Sequence, residues 1–250
     1  MKSLNERRTI RHYTTQPVPV ELLNDLLAQS FRASTTGNMQ LYSIVVSTDK
    51  ERIAALSPAH YHQTAIRTAP AVLTFCADFH RFSLWCRQSN AEPGYENFQS
   101  FMNAAMDTLI VAQTFCMLAE EAGLGICYLG TTTYNPQEII ETLQLPRLVF
   151  PVTTITIGYP DEHPEQADRL PAKSLIHNER YYDYTPEEIR AAYTYKESLP
   201  ESQKFIAENN KETLAQVFTN VRYARLDNER ISENLIQTLR QQGFFDLGKC

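Results

Sequence analysis

The chain lacks any CxxC pair, and its five cysteines, Cys76, Cys86, Cys116, Cys127 and Cys250, are odd in number and widely spaced. That pattern argues against a disulfide framework and a zinc knuckle. Cys76 and Cys116 sit inside apolar runs, where an inert buried thiol is the ordinary state. No apolar run approaches the roughly 20 residues of a membrane span, and Met1–Glu6 has no apolar stretch of a secretory leader. The expectation is a cytoplasmic protein without membrane contact. HExxH, GxSxG, GxxxxGK(S/T) and GxGxxG are also missing, so zinc hydrolysis, serine hydrolysis, P-loop transfer and the common dinucleotide turn have no sequence support. The histidines do not cluster: His60 and His62 stand two apart and would face different ways on a helix. No metal site is expected. A net charge of −6 repels polyanions, so nucleic acid is not an expected partner.

What is present fits a globular chain of 250 residues, 43% hydrophobic and 21% charged. Apolar spacing predicts a helix over 20–31, a short helix between 49 and 59, and a central helix over 98–122 stopped by Gly123 and Gly125. A further helix starts at Pro136 and runs through Leu143. Strands are predicted at 43–47, 71–77, 126–129 and 152–160, the second buried on both faces. Residues 81–97 read as a loop with a possible short helix, suited to a lid. Elements alternate, which points to an α+β or α/β layer. Beyond residue 172 a tyrosine-punctuated polar stretch leads to amphipathic helices at about 209–243, a tail that needs the core or a partner subunit to pack on.

Three arginines fall within five residues at Arg7-Arg8-Thr9-Ile10-Arg11. Most short basic runs are solvated surface, but guanidinium forks match phosphate oxygens bidentately and Thr9 adds a hydroxyl, so the segment also reads as an anion cradle. The other polar candidates lie at element ends: Ser34-Thr35-Thr36-Gly37-Asn38-Met39-Gln40, Gln63, Tyr128-Leu129-Gly130-Thr131 and Arg169. None is a matched acid, base or nucleophile. Such a set suits a protein that holds a reactive cofactor and leaves the bond-making to it.

In that order these segments resemble the flavin-dependent nitroreductase superfamily, in its type A branch of oxygen-insensitive nitroreductases and NAD(P)H flavin oxidoreductases, over about residues 5–245. The resemblance implies an α+β fold with a central, mostly antiparallel sheet flanked by helices. It implies a core over 1–180, with an extension over 181–250 wrapping a second subunit in a homodimer. It also implies FMN as cofactor, with NADPH or NADH as co-substrate. Arg7, Arg8, Thr9, Arg11 and Arg169 would hold the phosphate. Ser34, Thr35, Thr36, Asn38, Gln40, Gln63, Tyr128, Leu129, Gly130 and Thr131 would line the ring and ribityl chain. The implied reaction is ping-pong hydride transfer from nicotinamide through flavin N5 to small-molecule acceptors, with no protein residue as acid or base. A non-catalytic flavin carrier or sensor and a flavin-fragmenting or dehalogenating relative are the alternatives. Two departures stand out: Thr9 replaces a serine, and Ala167 stands where relatives carry a lysine. Arg222, Arg225 and Arg230 do not align onto the arginines that read the extra phosphate of NADPH, which leaves the nicotinamide preference open.

Overall fold

A computed structural model describes residues 2–245; Cys250 lies outside them. The described residues divide into two compact units, one from Met1–Gln166 with Ile231–Cys250 and one from Ala167–Arg230.

The first unit is built on an antiparallel sheet of β1 (Tyr42–Ser47), β2 (Ala71–Asp78), β3 (Gly125–Leu129) and β4 (Val149–Gly158), in the order β1-β2-β4-β3. Every residue of β2 is buried, as its unbroken apolar run requires of a central strand. Pairing between β2 and β4 slips between Phe75 and Cys76, whose partners are Thr153 and Pro151. Pro151 has no N–H for the ladder, and the irregularity falls where that donor is missing.

Helices α1 (Lys2–Glu6), α2 (Val20–Ser30), α3 (Lys50–Leu56), α4 (Thr64–Thr68), α5 (His80–Gln88), α6 (Phe98–Glu121) and α7 (Pro136–Leu143) flank the sheet. The fold is therefore α+β with a central antiparallel sheet, as expected. On one side Val111, Ala112, Phe115, Cys116 and Ala119 of α6 share a core with Leu73, Phe75, Ile126 and Ile155. On the other, Ile53, Leu56, Ile66 and Ile139 pack against Val72, Cys127 and Leu129. The Asn97 side chain caps α6 by accepting from Ser100 N at 2.9 Å. Gly123, at φ +81°, ends it and turns the chain into β3. By length and composition α6 could cross a membrane. Its buried face on the sheet and its buried Asp107 identify it as a core helix instead. The run escapes notice in the sequence because Asn103, Asp107, Thr108, Gln113 and Thr114 interrupt it.

The second unit holds α8 (Pro186–Ser198), α9 (Pro200–Glu208), α10 (Leu214–Val217) and a π turn over Phe218–Arg222. The last helix, α11 (Arg225–Gln241), ends within the first unit, where Leu239 and Phe244 join Leu41, Phe79 and Phe150 in a third core. Helices α8 and α9 were not predicted, although α8 opens on a full capping box between Thr185 and Glu188. Helix α5 occupies the first half of the predicted 81–97 loop.

Candidate functional site

The arginine leader is laid against the sheet by its backbone. Ile10 N donates to Ile126 O at 3.0 Å and Thr14 N to Tyr159 O at 2.9 Å. The Tyr13 hydroxyl, whose ionisation burial pushes up, lies 2.7 Å from Ile10 O and 2.8 Å from Thr156 Oγ1. The Glu162 carboxylate accepts from Arg11 N and His12 N, and Thr68 Oγ1 donates to Arg11 O at 3.0 Å. A glycine at 125 makes the approach possible, since a Cβ there would stand 2.7 Å from the Ile10 side chain.

The side chains of the leader are far less engaged. Arg7 Nη1 is 3.5 Å from Thr9 Oγ1, and Arg8 Nη1 donates to Glu6 O at 2.8 Å. Arg8 Nε is buried without a partner, and Arg11 is exposed. None of the three guanidiniums forms an ion pair among the described residues. Arg7 and Arg8 do line a cleft of about 350 Å³, but so do Glu6, Glu120, Glu121 and Glu162. Four carboxylates against two guanidiniums do not favour an anion inside that cleft. Thr9 and Arg11, which do not line it, are the part of the leader left for one. Burial raises the Glu120 carboxyl above its usual range, with Arg7 partly offsetting it.

At the far end of β3, Gly130–Thr133 forms a 3-10 turn in which Thr132 Oγ1 donates to Leu129 O at 2.8 Å. Thr131 Oγ1 lies 2.9 Å from Nδ1 of His60, a wholly buried residue whose Nε2 has no partner. Burial lowers the His60 pKa to about 4, so the ring is neutral at ordinary pH. Gln63 is exposed at the N-cap position of α4, and its N–H donates to His60 O at 3.2 Å. Gly130 is exposed, and a Cβ on it would meet nothing within 4 Å. Leu129 is buried, and the half-buried Tyr128 places its hydroxyl 3.5 Å from Gln113 Oε1. The leader, the Gln63 turn and the Gly130–Thr131 turn thus form one linked set, joined through Thr68 to Arg11 and through His60 to Thr131.

The fourth predicted segment stands apart. Thr36–Asn38 is a 3-10 turn hung from α6, where Asp107 Oδ1 accepts from Thr36 N at 2.8 Å and Thr36 Oγ1 at 2.9 Å. Asn38 and Gln40 are exposed, with Gln40 Nε2 3.3 Å from Asn38 Oδ1; Ser34 is exposed and Thr35 half-buried. Glu120, beside Arg7, is thirteen residues further along α6 than Asp107, about 20 Å of helix axis. Arg169 belongs to the second unit, where its Nη1 donates to the carbonyls of Ala167 at 3.1 Å and Asp168 at 2.8 Å. Asp168 is paired with Lys196 at 2.9 Å.

Of three side chains that shape this region, Asp107 and Glu162 are not singled out in the sequence and His60 is considered there only as a metal ligand. Asp107 carried a usable signal, a lone acid in an apolar helical stretch. His60 and Glu162 carried none, since each matters only through the chain it meets in space. Among the described residues no group of three or more His, Cys, Asp or Glu side chains is arranged to hold a metal ion.

The sequence pattern of the Nitroreductase family matches residues 4–159. The chain is 34% identical over 183 residues to the FMN reductase [NAD(P)H] of Bacillus subtilis (strain 168), covering 72% of this chain and 74% of that protein. It is 30% identical over 194 residues to the oxygen-insensitive NADPH nitroreductase of Salmonella typhimurium, covering 78% of each. A crystal structure from Bacteroides fragilis NCTC 9343 superposes with a TM-score of 0.97 at 63% identity, covering 98% of this chain and all of that one. A leader pinned to β3, a glycine turn at that strand's end and a polar loop on the central helix thus accompany a match over more than half of the sequence, and the chain belongs to the nitroreductase family.

Proposed function

We propose that this chain is an FMN-dependent NAD(P)H oxidoreductase of the nitroreductase type. The observation that carries the reading is the arginine leader: Ile10 N is bonded to the sheet and Arg11 N and His12 N to Glu162, while the three guanidiniums form no ion pair among the described residues and Arg11 is exposed. A phosphate would supply acceptors for the Arg11 guanidinium and the Thr9 hydroxyl. The residues present therefore fit FMN. Arg7, Arg8, Thr9 and Arg11 would hold its phosphate, with Thr9 and Arg11 foremost because the cleft beside Arg7 and Arg8 is acidic. Arg169 would be a second anchor on the strength of the resemblance. The open space at Gly130 and the amides of Asn38, Gln40 and Gln63 would accept the ring and its polar edge.

When bound, FMN supplies the two-electron centre that accepts hydride from NAD(P)H at N5 and passes it to an acceptor in ping-pong turnover. The protein's own work is binding, orientation and electrostatics. The side-chain amides of Asn38, Gln40 and Gln63 and the Gly130 N–H would donate to the polar edge of the ring and stabilise negative charge there. No protein side chain would act as proton donor or acceptor in this reading: His60 is neutral and buried, and the four described thiols are buried. Burial pushes Cys116 up to about 12 and raises Cys76 further still. Nitroaromatics, quinones, azo compounds and free flavin are the acceptors proposed, since nothing in the open face selects among them. Four buried free thiols suit a reducing compartment, and we place the enzyme in the cytoplasm.

A homodimer completes the proposal. The leader, proposed for the phosphate, and the Thr36–Gln40 loop, proposed for the ring, are anchored about 20 Å apart along α6, and a neighbouring copy could bring its loop to this leader. Helix α6 exposes Phe98, Met102, Met106, Leu109 and Ile110 in a helical stripe, each between 38% and 47% exposed, an apolar face suited to a second copy. The functional division is a core of 1–180 and an extension of 181–250, whose end packs on the core through Leu239 and Phe244 and whose remainder would pack on the core or the partner.

An absorbance spectrum of the purified protein, followed by anaerobic titration with NADH and NADPH, tests the reading. The expected result is a yellow protein bleached by a reduced nicotinamide and reoxidised by a quinone. A preparation that stays colourless after incubation with FMN would overturn it.

A further inference from the structure

The loop over residues 36–41 is held in a shape that the chain would not choose unaided. Gly37, Asn38 and Gln40 all have φ between +54° and +56°, and each left-handed non-glycine residue carries a conformational cost. Two carboxylates hold this shape from beneath. Asp107, 2% exposed, accepts Thr36 N and Thr36 Oγ1 on one oxygen and Leu41 N, at 3.5 Å, on the other. It thus grips the loop at both ends. Asp78, 5% exposed, accepts from the Ser43 hydroxyl and from Arg81 N at 3.0 Å. The Arg81 guanidinium then donates to Gln40 O and, at 3.1 Å, to Tyr42 O. Gln40 O also accepts from Tyr42 N at 2.9 Å.

Asp107 has no ion pair among the described residues. A buried carboxylate without a cation is kept only where several N–H and O–H donors converge on it, and three of its donors come from this one loop. A core position would be served more cheaply by an apolar side chain; what the carboxylate adds is a fixed backbone between residues 36 and 41, with Asn38 and Gln40 turned to solvent.

We propose that Asp107 is a positioning residue for flavin binding, with Arg81 as its counterpart at the loop's exit. Asp107 fixes the Thr36–Leu41 backbone in its left-handed course before the cofactor arrives, so that Asn38 and Gln40 meet the flavin without further ordering. This rests on the reading that the loop contacts FMN. Preorganisation of this kind raises affinity by removing an ordering cost.

The test uses the full-length protein stripped of FMN, with Asp107→Asn, Thr36→Val and Asn38→Ala compared with wild type. Asp107→Asn turns an acceptor into a donor facing Leu41 N–H. It should weaken FMN at least tenfold by fluorescence titration, and speed hydrogen exchange at the Thr36 and Leu41 amides of the apo protein at least tenfold. Thr36→Val leaves α6 untouched and removes one of the three donors; it should weaken FMN about threefold and keeps the test open if Asp107→Asn folds poorly. Asn38→Ala should weaken FMN while leaving amide exchange unchanged. If Asn38→Ala weakens FMN but Asp107→Asn and Thr36→Val bind it as wild type does, the positioning role is refuted and the loop's contact stands. If none of the three changes FMN affinity, the loop does not contact the cofactor, and the inference falls with that reading.

Discussion

The leader and the Thr36–Gln40 loop are fixed in opposite ways. The leader is fastened by its main chain, through Ile126 O, Tyr159 O and the Glu162 carboxylate, and keeps its cationic side chains disengaged. The loop is fastened by side chains from beneath, through Asp107 and Arg81, and exposes its amides. One arrangement presents charge on a sheet edge that cannot shift without breaking the sheet. The other presents hydrogen-bonding groups on a strained turn that a single carboxylate holds. The leader should therefore fail all at once through steric displacement, and the loop by degrees.

The largest effect should come from Gly125→Val. Its Cβ would stand 2.7 Å from Ile10, and overpacking of that kind costs about 1–3 kcal/mol. Urea unfolding should show that loss together with loss of FMN, while exchange at the Thr36 amide stays slow. Wild-type stability in this variant would mean that the leader is not seated by that contact.

Acid should act on the turn side next. His60 is buried with its pKa lowered to about 4 from 6.5, so its stabilising contribution is complete above pH 6.5. The contribution should fall as pH drops from 6.5 to 4, where the native state also takes up a proton. The loss is on the order of 3 kcal/mol at most. Comparing His60→Phe with wild type across that window checks it: the variant should lack that part of the slope. Identical slopes would remove His60 as the cause.

Arg11→Ala should weaken FMN about tenfold, equivalent to about 1.5 kcal/mol for one charge-assisted bond. Because Arg11 is exposed, thermal unfolding of the apo protein should barely move. Unchanged FMN retention would argue against the cradle and against Arg11 as its foremost cation.

The smallest stability change should follow Gly130→Ala, within about 0.5 kcal/mol, because the added methyl meets open space. Flavin titration should still register it if the ring occupies that space.

Much of this architecture was legible in the order of residues. Helix α6 announces itself through three- and four-residue apolar spacing and the glycines after it, and β2 through an unbroken apolar run. Helices α8 and α9 were hidden because their tyrosines and charges blur the apolar stripe, though Thr185-Pro186-Glu187-Glu188 held a start signal. Among the proposed site residues, Arg7–Arg11 stood out by local charge density, and the order of the polar segments gave the cradle its reading. Asp107 was visible as a lone acid in an apolar stretch, but its role and that of His60 were not, because a carboxylate 71 residues from Thr36 and an imidazole 71 residues from Thr131 acquire their partners only in the folded chain. The distance between leader and loop along α6 was equally invisible, since both are simply polar segments in the first 40 residues.

The nesting of the second unit inside the first sets a timetable for synthesis. Leu239 and Phe244 fill a core whose other members, Leu41, Phe79, Phe150 and Leu148, leave the ribosome about 90 to 200 residues earlier, and Leu148 N waits for Gln242 O at 2.8 Å. At about 5–20 residues per second, the nascent sheet spends several seconds with that hollow unfilled. Leu239 and Phe244 close it, so a stop ahead of them should expose an apolar hollow that chaperones or proteases would find, even with every residue proposed to face the flavin already translated.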